Sequence, residues 1–575
     1  MSKIALISVY DKSGIDDLGS FLDGSGWDLV STGGTSEYLK KLHIPVIDVS
    51  SITGFPECLN GRVKTLHASV FAGILACRNN PSHMDTLEKM AMDTIDLVCV
   101  NLYPFFEKVR EGLDLSEMVE FIDIGGPSML RSAAKNFRDV IVLCDPSDYD
   151  ETITFINAGA VPMAFKKYLA GKAFNLVSAY DAAVARYLLD SDTAIGGEKE
   201  YRFPNYWPLS QKKDKVLRYG ENSHQTAALY LAADNCGALG GMEQLNGKDP
   251  GYNNIRDLDL AWKAVCAFGL PPAPQSTTDA QNPLHCPGAI QHCLPFGEEE
   301  LIKLGVIRSA GESPVLPACV AVKHNTPCGA AAGFSLLEAF DKTYACDPES
   351  IYGGIVACNV SVDAATAEKL SKLFLEILVA PDFDSDALLI LKKKKNIRVI
   401  KADFPPVSGT ECVSVDGGLL VQQTDKKLVE HWETATDTLP GEEDIADLIF
   451  ALRTVSFVKS NAIVVAKNLS AMGIGGGQTS RIRAAKDALL RSADSILNAR
   501  DNPSLSGLPV ADGKPARVMA SDAFFPFADV VEAAAAAGIK AIVQPGGSLR
   551  DKESIEACNK YGIAMILTGT RHFKH

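Results

Sequence analysis

The chain has 575 residues, 46% of them apolar and 22% charged, with a net charge of −15. That length accommodates two to four domains, each able to build a core, and the acidic balance excludes nucleic acid and anionic membranes as main partners. No apolar run approaches the roughly 18 residues of a spanning helix, no Gly-x-x-x-x-Gly-Lys-Ser/Thr phosphate loop occurs, and the 14 cysteines form no Cys-x-x-Cys pair. With no signal peptide, they are expected to be reduced thiols of a cytoplasmic protein.

Residues 4–9 predict a strand. Asp11 or Ser13 is placed to cap the next helix, whose Ile15, Leu18, Phe21 and Leu22 share a face and which Gly24 ends. A strand at 28–31, a helix at 36–42 and a strand at 45–49 complete a βαβαβ alternation, which implies a parallel sheet. Strands at 95–100 and 140–144 and helices between 152 and 189 extend it. Four clusters sit among these elements. Thr32-Gly33-Gly34-Thr35 lies between a strand and its helix, where backbone N–H groups can face an anion. Gly61-Arg62-Val63-Lys64-Thr65-Leu66-His67 gathers two cations, a hydroxyl and a histidine. Asn101-Leu102-Tyr103-Pro104-Phe105 follows the strand at 95–100. Ile122-Asp123-Ile124-Gly125-Gly126-Pro127 opens a helix in which Pro127 suits the first turn and Lys135 lies two turns on. Singly each is an ordinary turn or a solvated side chain; gathered mostly at the strand ends of one sheet, they mark a ligand site.

Residues 201–215 are rich in proline, aromatics and lysine without periodicity, which predicts a domain boundary. Residues 217–225 are dense in hydrogen-bonding side chains. Residues 271–316 read as an inserted loop; its His285-Cys286 and His292-Cys293 do not have zinc-site spacing. Residues 319–322 predict a buried strand that stops at Lys323-His324 and is broken by Asn325-Thr326-Pro327. A cation and a base at the end of a buried strand stand where open α/β sheets place ligands. Pro327-Cys328 is similar to the Pro-Cys-x-x-Cys of zinc deaminases, but Ala331 occupies the second cysteine position. None of His285, His292 and His324 has a Glu two residues on. A deaminase-like strand, loop and helix without its metal is the expectation. Ile351-Tyr352-Gly353-Gly354 precedes a strand at 355–360. Ser460-Asn461 leads into Gly473-Ile474-Gly475-Gly476-Gly477-Gln478-Thr479-Ser480-Arg481, a segment suited to cradling a phosphate or carboxylate. Ser521-Asp522-Ala523-Phe524-Phe525-Pro526-Phe527 is an aromatic loop before an Ala-rich helix. A strand at 541–544 runs into Pro545-Gly546-Gly547-Ser548. No internal repeat of solenoid period is visible.

These motifs occur in order with Asp11-Lys12-Ser13-Gly14, Ser132-Ala133-Ala134-Lys135-Asn136, Arg218-Tyr219-Gly220-Glu221-Asn222 and the closing Arg571-His572-Phe573-Lys574-His575. Together they resemble the family of bifunctional purine-biosynthesis proteins that combine 5-aminoimidazole-4-carboxamide ribonucleotide (AICAR) formyltransferase with IMP cyclohydrolase. The resemblance covers residues 4–575 except 271–316. Ala68 and Ser223 stand where the family usually has Pro, and the insertion has no counterpart in common members.

The resemblance implies an α/β protein: a methylglyoxal-synthase-like parallel-sheet cyclohydrolase domain at 1–200, a linker at 201–216, and a transformylase domain at 217–575. The last is a pair of cytidine-deaminase-like α/β subdomains carrying the inserted loop at 271–316. It also implies a cytoplasmic homodimer with transformylase sites at the interface, nucleotide and folate substrates, and no role for nucleic acid, membrane or catalytic metal. The co-substrate would be 10-formyltetrahydrofolate. In formyl transfer His324 would take the amine proton and Lys323 would stabilise the oxyanion on the formyl carbon. Arg218, Tyr219, Gly353, Glu376, Asn461 and Arg481 would hold the nucleotide. Phe524, Asp529, Ile482, Pro545 and Arg571 would lie near the folate or its partner substrate. In ring closure Lys64 would polarise the formyl oxygen while Tyr103, Asp123 and Lys135 manage proton transfers. Lys12, Thr32, Gly33, Gly34, Thr35, Arg62, Thr65 and Asn101 would bind phosphate and ribose. A zinc-dependent base deaminase and a non-catalytic nucleotide sensor are the rival classes, separated by zinc content and by folate-dependent turnover.

Overall fold

The structure, a computed structural model, describes residues 2–59, 62–189, 203–233, 237–269, 316–402, 406, 409–501 and 513–575. It divides into two compact units, residues 1–212 with 232–235, and residues 213–231 with 236–575. The division runs through a two-stranded ribbon of β6 (Gln211–Leu217) and β7 (Ala227–Ala232). The segment 271–316 lies, apart from Leu316, outside the described residues, as do residues 201 and 202 of the expected linker at 201–216.

The first unit is built on a parallel sheet of β1 (Lys3–Ser8), β2 (Trp27–Ser31), β3 (Ile47–Asp48), β4 (Leu97–Val100) and β5 (Ile141–Leu143), in the order β3-β2-β1-β4-β5. Ala5, Leu6, Ile7, Leu97, Val98 and Cys99 are wholly buried, as expected of a sheet covered on both faces. Strand order reverses at β1, so the carboxyl ends of β1, β2 and β4 border one crevice.

Details differ from the sequence expectations. Neither Asp11 nor Ser13 caps the first helix: Ile15–Gly24 starts from Gly14 in the left-handed region, and Asp11 accepts instead from the amide and hydroxyl of Ser13. The second helix opens at Gly33, three residues before the expected Ser36, with Thr32 as its N-cap. The third strand is only Ile47–Asp48, because Val49 already begins the helix Val49–Thr53.

The second unit contains, among the described residues, a twelve-stranded sheet. One half consists of β8 (Glu243–Asn246), β9 (Ala318–Lys323), β10 (Thr326–Ala332), β11 (Ile355–Cys358), β12 (Ile377–Ala380) and β13 (Arg398–Lys401). After a small exposed ribbon of β14 (Thr410–Val415) and β15 (Gly418–Gln423), the other half follows as β16 (Glu433–Thr434), β17 (Ile463–Lys467), β18 (Ser470–Gly475), β19 (Val518–Ser521), β20 (Ala541–Gln544) and β21 (Ala564–Leu567). Read from its outer edge, the first half runs β8-β13-β12-β11-β9-β10 and the second β16-β21-β20-β19-β17-β18. In each half an antiparallel hairpin (β9–β10, β17–β18) is followed by three parallel strands. The halves join where β10 pairs with β18. Successive residues of β9 serve opposite faces: Ala318, Val320 and Val322 pack with Leu258, Ala261 and Val265, while Cys319 and Ala321 pack with Ala339 and Phe340.

This unit is therefore an internal duplication, in line with the expected pair of α/β subdomains, and its period is not that of a solenoid. Its trace in the sequence is short. Ile255-Arg256-Asp257-Leu258, with Ala261 and Val265, matches Ile445-Ala446-Asp447-Leu448, with Ala451 and Val455, on equivalent helices Tyr252–Cys266 and Glu442–Val455. Ala318, Val320 and Lys323 likewise match Ala462, Val464 and Lys467 on the equivalent hairpin strands.

Two expectations for this unit are corrected. Pro327 does not end the strand. The chain reverses over His324 and Asn325, at φ of 54° and 57°, and β10 then carries Pro327 opposite Val322, with a register irregularity before Gly329. A bulge is one of the places where a sheet tolerates proline. Nor do Gly473 and Gly475 form an anion-cradling loop. Both lie in β18, where a Cβ would stand 2.0 Å from the carbonyl oxygen of Ala488 and 2.2 Å from that of Ala484. The glycines let the strand lie directly on the helix Arg481–Asp501.

Candidate active site

In the first unit, the crevice at the carboxyl ends of β1, β2 and β4 brings most of the predicted residues together. Thr35 Oγ1 accepts from the Val9 amide at 3.1 Å and lies 2.9 Å from the Val9 carbonyl. Lys12 Nζ reaches the same carbonyl and, at 3.0 Å, Thr35 Oγ1. Burial lowers the Lys12 pKa, with Asp11 opposing. Asn101 spans the crevice: its Oδ1 accepts from the amides of Tyr10 and Asp11, and its Nδ2 donates to the Asp11 carbonyl at 2.9 Å. Lys64 Nζ stands 3.3 Å from where a Cβ of Gly33 would be, above the N-terminus of the helix Gly33–Lys41, and 3.2 Å from Glu57 Oε1. Cationic and backbone N–H groups thus face one space, the composition of an anion site.

Asp123 closes the other side. Burial pushes its carboxyl pKa up, against hydrogen bonds from the amides of Gly126, Gly125 and Tyr103. Gly126 N–H donates to Oδ1 at 2.9 Å, and a Cβ on Gly126 would come within 2.4 Å of Oδ2. The Asp123 amide donates to the Tyr180 hydroxyl at 2.8 Å, which donates to the Phe121 carbonyl. Thr65 is buried, its Oγ1 3.0 Å from the Cβ position of Gly125. Tyr103 is half exposed, edge-on to Tyr10 with centroids 5.7 Å apart. Arg62 is paired with Glu120 at the surface. Lys135 is not brought in: it is exposed at the last residue of the helix Gly125–Lys135, about 15 Å along the axis from Gly125.

In the second unit the predicted residues form two groups. The first surrounds the β9–β10 turn. Lys323 Nζ donates to the Tyr352 carbonyl at 2.7 Å, beside Gly353, whose amide donates to the Phe374 carbonyl. Glu376 follows and is paired with Arg398 at 2.6 Å. Arg218 stacks on Tyr219, 5.6 Å from its ring centre. Their loop is tied by Glu221 to Arg256 and Asn253 on the helix Tyr252–Cys266. His324 is exposed. The next residue on the helix after Arg256, Asp257, accepts from the amides of both His324 (3.2 Å) and Asn325 (2.5 Å). Non-glycine residues at positive φ cost on the order of 1–3 kcal/mol each, and charge-assisted bonds to one carboxylate offset part of that.

The second group surrounds Asp522, which is wholly buried. It is paired with Arg481 and accepts from the Ser460 hydroxyl and, at 3.1 Å, from the Ala462 amide. Its own carbonyl accepts from the His572 amide at 2.9 Å. Arg481, predicted to contact nucleotide, is thus buried within this ion pair, and burial lowers its pKa against the pull of Asp522. Asn461 Nδ2 donates to the Gln478 carbonyl at 2.9 Å. Ile482 follows Arg481 and is half-buried, Phe524 is exposed, Asp529 begins the helix Asp529–Ala536, and the Pro545 carbonyl accepts from the Gly569 amide at 3.0 Å. Arg571 lies over the Phe573 ring at 4.5 Å. Lys323, His324 and Thr326 line a cleft of about 230 Å³ together with Gly476 and Gln478, whose carbonyl accepts from Asn461.

Sequence reasoning missed Asp257, Tyr180 and the central place of Asp522. Asp257 had a signal in the repeated Ile-x-Asp-Leu. Asp522 stood within a quoted motif, read for its aromatics. Among the described residues no group of three His, Cys, Asp or Glu side chains could hold a metal, and no helix is long and apolar enough to cross a membrane. His285, Cys286, His292 and Cys293 lie outside the described residues.

His572, next to Arg571, carries a pH dependence. Burial alone would lower its pKa, but the Asp425 carboxylate, 2.7 Å from Nδ1, and the Leu428 carbonyl outweigh it and raise the value. Such a histidine stabilises the fold fully below its unfolded value of about 6.5 and loses that contribution as pH rises through the folded value. The native chain is expected to melt higher at pH 6 than the His572→Gln variant by more than it does at pH 9. An equal gap at both pH values, by calorimetry, shows that this pair does not titrate.

Comparison with known proteins gives a family model described as AICARFT/IMPCHase bienzyme, matched over residues 133–297 and 307–491, and an MGS-like domain over 14–128. A "Bifunctional purine biosynthesis protein PurH" of Clostridium acetobutylicum is 50% identical over 576 residues, with 100% of both chains covered. One of the same description from Clostridium kluyveri is 49% identical over 572 residues, with 99% of each covered. A solved structure titled "Crystal structure of ForH" is 40% identical, covers 32% of this chain and 96% of its own, and has a TM-score of 0.30.

Proposed function

The chain belongs to the AICARFT/IMPCHase bienzyme family, and on that premise we propose how its two sites divide the chemistry. The protein is a bifunctional enzyme of purine biosynthesis, an AICAR formyltransferase and IMP cyclohydrolase. The first unit performs ring closure and the second formyl transfer, with 10-formyltetrahydrofolate as formyl donor. The observation that supports this division most is that the Lys64–Asp123 crevice and the Lys323–His324 turn each assemble wholly within one unit.

In formyl transfer the aromatic amine of AICAR attacks the formyl carbon. His324, on its exposed turn, accepts the amine proton, and Lys323, whose ammonium is fixed by the Tyr352 carbonyl, stabilises the oxyanion before tetrahydrofolate leaves. Arg218, Tyr219, Gly353, Glu376, Asn461 and Arg571 are the nucleotide-facing candidates, with Phe524, Asp529, Ile482 and Pro545 toward the folate. Arg481 contributes through Asp522 and the corner it holds. In ring closure the carboxamide nitrogen attacks the new formyl group and water is lost. Lys64 polarises the formyl oxygen, Tyr103 and Asp123 move protons, and Lys12, Thr32, Gly33, Gly34, Thr35, Arg62, Thr65 and Asn101 hold phosphate and ribose. Lys135 enters at most through a group it reaches outside this crevice. We read the enzyme as a cytoplasmic homodimer, a state that light scattering tests.

The direct experiment is conversion of AICAR and 10-formyltetrahydrofolate to IMP, followed by absorbance; zero turnover by the intact chain overturns the reading. A second measurement tests the division. A fragment of residues 1–200 is expected to cyclise formyl-AICAR and not to formylate AICAR. A folded fragment that fails to cyclise shows that the sites are divided otherwise.

A further inference from the structure

The two halves of the second unit repeat one device. In the first, the hairpin turn His324–Asn325 is left-handed at both residues, and Asp257 accepts both turn amides. In the second, the turn Asn468–Leu469 is left-handed at both residues, with φ of 53° and 54°. Asp447 accepts both of its amides, at 2.8 and 2.7 Å. Each aspartate is the sixth residue of its helix, counted from Tyr252 and from Glu442, and each turn follows a lysine, Lys323 or Lys467.

The surroundings differ. Asp447 is 4% exposed, and the Asn468 carbonyl is capped by the buried Lys342, which also bonds the Ala332 carbonyl and Glu338. Around Asp257 the turn stays open: His324 is exposed and borders the cleft. Where the second repeat carries Asn468, the first carries a titratable ring.

From this duplication we propose that Asp257 is a positioning residue for formyl transfer: by accepting both turn amides it holds His324 in the left-handed conformation that presents its ring to the cleft. The inference rests on His324 being the general base. A side chain at positive φ leaves its backbone well readily, and neither His324 nor Asn325 is the glycine that would hold such a turn unaided. One carboxylate with two oxygens, one per amide, restrains both residues at once. The Glu221 links from Asn253 and Arg256 bring the Arg218–Tyr219 loop onto the same helix, so the turn and that loop share one frame.

The test uses the full-length chain and both half-reactions. Asp257→Asn keeps the shape but only one good acceptor, so one turn amide loses its partner. Its formyl-transfer kcat is expected to fall at least tenfold with KM for AICAR changed less than threefold. Cyclohydrolase turnover stays native, and the retained KM for AICAR reports that the second unit is folded. Asp447→Asn, the same lesion in the closed turn, leaves formyl-transfer kcat within twofold. In a double-mutant cycle, Asp257→Asn costs nothing further once His324 is Ala, because the positioned group is gone. Native kcat in Asp257→Asn, or a full additional loss in the His324→Ala background, overturns the positioning role. Near-native formyl transfer in His324→Ala alone overturns the base assignment instead, so the two failures are told apart.

Discussion

Replacing His324 by alanine is expected to cut formyl transfer at least a hundredfold and to leave ring closure at its native rate. The amine attacked by the formyl donor is an aromatic one, weakly nucleophilic, so its proton must leave as the new bond forms. General base catalysis of this kind is typically worth about 10² to 10⁴. A hundredfold corresponds to about 2.7 kcal/mol of barrier. Lys323→Ala is expected to show a similar loss, since one preorganised oxyanion donor is worth about 10² to 10³ and the Lys323 ammonium is already fixed by the Tyr352 carbonyl. Truncating His324 should not unfold the hairpin, because the exposed ring carries none of the bonds that hold the turn; the backbone amides and Asp257 carry them. Both half-reactions should be measured on each variant. Loss of both activities together in a folded chain would mean that the turn serves the protein's architecture and not formyl transfer.

The mirror result is expected in the first unit. Lys64→Ala should lower cyclohydrolase turnover by about 10² to 10³, the worth of one charge-stabilising donor, with formyl transfer unchanged. Asp123→Asn should be at least as severe, since it removes the buried carboxyl group that shuttles protons. Asp123 also makes a prediction of opposite sign for stability. Burial raises its folded pKa, so its favourable contribution is complete below the unfolded value of about 3.9 and is lost as pH rises through the folded value. At neutral pH the buried charge opposes folding. The Asp123→Asn variant should therefore melt no lower than the native chain at pH 7, while its cyclohydrolase activity collapses. A variant that melts clearly lower at pH 7 would show that the amides of Gly125, Gly126 and Tyr103 need the carboxylate more than burial disfavours it. Native ring closure in Asp123→Asn would remove this residue from the mechanism altogether.

Each pair of variants is most informative beside the other. His324 and Asp123 lie in separate compact units, so effects that remain confined to one half-reaction can be attributed to one site, and a melting curve of each variant shows that the mutated unit is still folded.

Much of the architecture was already written locally. The alternation of short apolar runs with amphipathic helices specified the parallel sheet of the first unit, because the periods of 2 and 3.6 are set by neighbouring residues. The clusters Thr32-Gly33-Gly34-Thr35, Lys64-Thr65, Asn101 and Asp123 could be placed at element ends from turn residues alone. The same local reading failed where the outcome depended on partners far along the chain. Pro327 looked like a strand breaker until β9 and β10 were seen to pair around a bulge. The glycines of β18 looked like an anion loop until the helix Arg481–Asp501 was found packed on them. Asp257 meets its turn 67 residues away, and Asp522 gathers Arg481, Ser460, Ala462 and His572 from three separate stretches. Those encounters are set by strand order and register, which no window of sequence contains.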